Sequence, residues 1–153
     1  MVTALVIIHG LIAVLLLGAI THQVLATLAP ARSRSSFFGR FRSVRSASFV
    51  NAVVVLYAIS AILGAIVYFY FGTGIRPVLE NSRQWQVLGL FDIKEHFTAI
   101  GAALLPAYWF CWREPDVREL VRTRSALTLI LAFIVWWSFL VGHVVNNIMG
   151  FGA

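Results

Sequence analysis

Four long apolar runs, roughly residues 2–28, 49–71, 93–112 and 126–149, fill most of this chain of 153 residues. Each holds about 20 residues or more, the helical length that crosses a hydrocarbon core of about 30 Å. Lipid offers a backbone no hydrogen-bond partner, so such runs must be helical. The expected fold is all-α: one transmembrane domain over residues 1–153, built as a four-helix up-down bundle.

Composition agrees. Sixty per cent of the residues are hydrophobic, against about 45–50% in soluble domains. A net charge of +6 is a feature of nucleic-acid binders, but the positions of the charges argue otherwise. Nine of the twelve basic residues sit in two short loops: Arg32, Arg34, Arg40, Arg42 and Arg45 in the first, Arg113, Arg118, Arg122 and Arg124 in the third. The positive-inside rule places both loops in the cytoplasm, with the middle loop and both termini outside. The expected topology is N-out, C-out, and the expected location is a bacterial inner membrane. The first run lacks a basic leader and a small-residue cleavage site, so it reads as a retained span.

The first loop interleaves Phe37, Phe38 and Phe41 with its arginines. It is either an interfacial segment on an anionic leaflet or a solvated connector. The middle loop carries Gly72, Gly74, Pro77, Trp85 and Gly89, and is apolar enough to predict a short interfacial helix or folded cap. Trp136 and Trp137 lie mid-span and are expected to pack on a neighbour or a flat ligand. Pro106 should kink the third helix. The single cysteine, Cys111, excludes an intrachain disulfide and reads as a packed thiol.

All four histidines, His9, His22, His96 and His143, fall in or at the edge of the apolar runs. Titratable groups at membrane depth are costly and point to function. At about 1.5 Å of rise per residue, His9 and His143 lie roughly 10 Å below the outer ends of their helices, and His96 slightly shallower. Three helices thus bring three imidazoles to one outer layer, while His22 lies about 20 Å further in. Imidazole is a common haem ligand, and bundle cores hold such cofactors. The first reading is therefore haem b bound by two of His9, His96 and His143, with Arg76, Arg83 and Lys94 near enough to pair with propionates. The second is a bare copper, zinc or iron ion held by the same imidazoles with Glu95 or Asp92. The third is that each histidine hydrogen-bonds a neighbouring helix. One haem is expected rather than two, because His9 and His22 point roughly 140° apart on an ideal helix.

Asp92 suits the N-cap of the third helix, and the acidic residues at its start complement the helix dipole. The alternative is a proton- or quinol-handling patch at the outer mouth. There Glu95 would take a proton as a nearby cofactor accepts an electron. Tyr68, Tyr70, Asn146 and Asn147 would join that mouth.

His9-Gly10 followed by a glycine-spaced apolar helix, a basic first loop, and Asp92-Ile93-Lys94-Glu95-His96 opening the third helix form a layout. It resembles a group of small four-helix bacterial membrane proteins that includes the HemJ-type protoporphyrinogen oxidases and the copper-resistance CopD-like proteins. The resemblance implies haem b binding or copper handling. The expected function is electron transfer by a membrane haem b protein, with quinone or a periplasmic redox partner. Self-association or a partner subunit is expected because so little of the chain faces water. The competing expectation is a metal-handling or structural anchor subunit without haem.

Overall fold

The computed structural model describes residues 2–28, 37, 46–114 and 117–149. Most of the first basic loop, with its arginines and Phe38 and Phe41, lies outside the described residues. Helix α1 spans Val2–Leu28 and carries no charged residue. A 3-10 turn at Ser46–Phe49 leads into α2, Val50–Tyr70. A π-helical turn, Phe71–Ile75, then joins α2 to the short helix α3, Arg76–Asn81, which has a proline in its first turn. Helix α4 spans Trp85–Arg113 and runs through Pro106 without a break. A second 3-10 turn, Arg118–Leu120, opens α5, Val121–Met149.

Three helical segments, Val2–Leu28, Ala47–Asn81 and Arg118–Ile148, are long and apolar enough to cross a membrane. Helix α4 is as long as α5 but carries Asp92, Lys94 and Glu95 in its first half. It also starts at Trp85, earlier than the apolar run predicts. The extra turns exist because Val87, Leu88 and Phe91 form one apolar stripe. That stripe is buried with Phe71, Leu79, Val141 and Val145. Between α3 and α4, Arg83 takes a left-handed conformation (φ 57°). With that reversal Arg83 N and Gln84 N bond back to the Glu80 and Leu79 carbonyls at 3.0 and 2.9 Å.

The four long helices pack in the cyclic order α1, α2, α4, α5, which leaves α1 and α4 diagonal. We call the end where α1 begins and α5 finishes the upper end. The lower half is packed shut around Leu16, Ile20, Val53, Leu105, Tyr108 and Leu131. Hydrogen bonds cross between helices there: Tyr108 to Gln23, Trp112 Nε1 to Thr128 Oγ1 at 3.1 Å, and Trp136 Nε1 to Thr21 Oγ1 at 3.0 Å. Buried Arg124 donates to the carbonyls of Cys111 and Glu114 at the end of α4, where a cation suits the exposed carbonyls.

Candidate functional site

The upper half is not filled. A cavity of about 540 Å³ lies between the four helices and the π turn, within the range of about 300–1,000 Å³ that ligand pockets occupy. Its walls follow helical spacing. Helix α1 supplies Val6, His9, Gly10 and Ala13; α2 supplies Tyr57, Ser60, Ala61 and Gly64. Helix α4 supplies Phe91, Lys94, Glu95 and Thr98, and α5 supplies Val135, Ser138, Gly142, His143 and Asn146. Positions three and four apart share a helix face, so each helix lends one stripe. Several of these residues are small, and the space follows from their missing volume.

His9 is half-buried, and its ring lies against Gly64, whose missing Cβ would sit 3.4 Å from His9 Cε1. Its Nδ1 is buried with no hydrogen-bond partner among the described residues. Lys94 and Glu95 form an ion pair of 2.6 Å in the opposite wall, with side chains 11% and 25% exposed. The Lys94 ammonium also rests over the Phe91 ring, 4.5 Å from its centre. At the cavity floor Thr98 Oγ1 lies 3.3 Å from Ser138 Oγ, and Tyr57 donates its hydroxyl to the Thr98 carbonyl at 2.9 Å.

His143 lines the cavity from α5, where the Asn147 amide donates to its Nε2 at 3.0 Å. His96 does not line it. It lies on an exposed face, with Nδ1 2.7 Å from the Asp92 carbonyl, and further along its helix than expected because that helix begins at Trp85. The reason is rotation: at about 100° per residue, His96 lies some 200° around the helix from Lys94. His22 is buried in the lower half, its ring 4.3 Å from that of Phe49. The layer expected to hold three imidazoles thus places two at the cavity. Among the described residues no three His, Cys, Asp or Glu side chains stand close enough together to hold a metal ion.

The remaining expected residues divide. Tyr70 and Asn146 line the cavity, whereas Tyr68 stacks on Phe91 and Asn147 holds His143. Arg76 stands outside it, bound through both terminal nitrogens to Asp92 at 3.3 and 3.2 Å and through Nε to Glu80 at 3.2 Å. Trp136 bonds Thr21, and Trp137 packs on Phe97 and Phe133. Tyr57, Ser60, Gly64, Thr98 and Ser138 were not singled out from the sequence. The spacing of Tyr57, Ser60 and Gly64 at i, i+3 and i+7 was the available signal, a polar and small stripe on an otherwise apolar helix.

The chain matches no family model, no curated protein and no solved structure.

Proposed function

We propose that this is a four-span inner-membrane haem b protein of bacteria, N-out and C-out, that transfers electrons to or from a membrane quinone or a periplasmic redox partner. The charge bias of the loops supports the orientation. Helix α4 counts as the fourth span because it packs alongside α2 and α5 and is apolar beyond His96.

The single observation that carries the haem assignment is His9. Its imidazole lines the wall of a ligand-sized cavity, and no hydrogen bond among the described residues engages its buried Nδ1; imidazole in such a bundle core is a common haem ligand. The surroundings suit a macrocycle: Gly10, Gly64 and Gly142 add no side chains to the walls, and most of the lining is aliphatic or aromatic. His9 would hold the iron, and Lys94 lies in the cavity wall across from it. When bound, haem supplies one-electron chemistry. The chain binds and orients it, and the closed lower half confines exchange to the upper, periplasmic end.

The test is an absorption spectrum of the purified protein from cells supplied with haem. A sharp Soret band that shifts on dithionite reduction is expected, and His9→Ala should lose it. A colourless preparation, or a band that survives His9→Ala unchanged, overturns the proposal.

A further inference from the structure

We propose that His9 is the only protein ligand to the haem iron, and that the second axial position faces Lys94 and accepts a small exogenous ligand. This rests on the haem reading above and adds a ligand class to it.

Each other imidazole either is held along its own helix or lies off the cavity. His143 accepts the Asn147 amide at Nε2, and its ring lies parallel to that of Phe139, with centroids 6.5 Å apart and planes within 5°. Phe139 and Asn147 stand four residues to either side of His143 on α5, so both partners hold the ring along its own helix. His96 is bonded to its own backbone and lies off the cavity, and His22 belongs to the packed lower half.

What faces His9 is α4, its diagonal partner in the bundle. The residues that α4 presents to the cavity at this depth are Lys94 and Glu95. An ammonium has three donors, and one of these goes to Glu95. The ammonium also rests over the Phe91 ring; a donor left facing the cavity would stabilise a polarised or anionic ligand, and a bond to a charged donor is roughly twice as strong as a neutral one. Distal donors and steric access decide whether a haem binds exogenous ligands or only passes electrons. A diatomic molecule or cyanide fits an open position beside a half-buried cation.

The experiment uses the full chain, loaded with haem b in detergent. The reduced protein should give a high-spin, five-coordinate spectrum and bind one CO per haem, and the oxidised protein should bind cyanide. Lys94→Met, normalised to haem content, should weaken cyanide binding about tenfold, the loss of one charge-assisted hydrogen bond. His143→Ala should remain high-spin. A low-spin spectrum without CO binding overturns the inference while leaving the haem assignment standing, and conversion of that spectrum to high-spin by His143→Ala would name His143 as the second ligand. A protein that takes up no haem overturns both.

Discussion

Tyr57 on α2 donates its hydroxyl to the Thr98 carbonyl on α4 at 2.9 Å, and its ring crosses the backbone at Gly101, one turn further along. A Cβ at Gly101 would overlap the Tyr57 hydroxyl and lie 2.7 Å from Cζ. The glycine is therefore the space the tyrosine occupies. This crossing closes the cavity floor, since Tyr57 is both a core residue and a lining residue. Gly101→Ala should cost about 1–3 kcal/mol by overpacking. Tyr57→Phe should cost about 1 kcal/mol through its lost hydrogen bond. Thermal unfolding in detergent measures both. The double variant should be less damaged than the sum, because removing the hydroxyl frees room for the methyl group.

The Arg76–Asp92 fork ties α3 to α4 beside the stacked rings of Phe71 and Phe91, whose centroids lie 3.9 Å apart. Both charged side chains are about one-third exposed, so solvent screens the pair and it adds little to global stability. Arg76→Lys keeps the charge but loses the two-pronged geometry. It should leave global unfolding nearly unchanged and speed amide hydrogen exchange over residues 71–81. Unaltered exchange there would show that the ring stack alone holds the segment.

Gly64 sets where the His9 ring lies. A methyl group would meet His9 Cε1 at 3.4 Å, an ordinary contact, so Gly64→Ala should bind haem nearly as the parent does. Gly64→Phe cannot fit without moving the imidazole. It should lower haem content several-fold, with helicity by circular dichroism retained. Equal haem content in the two variants would separate His9 from the cofactor.

Topology has its own check. Ser82 lies in the exposed turn between α3 and α4, and Arg122 is exposed at the start of α5. In a Cys111→Ala background, Ser82→Cys should react with an impermeant maleimide from the periplasmic side of intact cells. Arg122→Cys should react only after the membrane is opened. The reverse pattern would invert the orientation.

Much of this molecule was legible in the sequence, because bilayer thickness and backbone hydrogen bonding leave a long apolar run only one structure. Run length thus determined the long helices, apart from the early start of α4 at Trp85, and placed His9 and His143 toward the same end of the bundle. The tertiary structure decided rotation about each axis. It turned Lys94 and Glu95 into the cavity and His96 out of it. It also decided which half would stay open. Large side chains and interhelical hydrogen bonds close the lower half, as between Tyr108 and Gln23, while Gly10, Gly64 and Gly142 leave the upper half unfilled. Depth follows from counting along one chain. Facing and voids depend on how the side chains of four helices mesh, which no single segment contains.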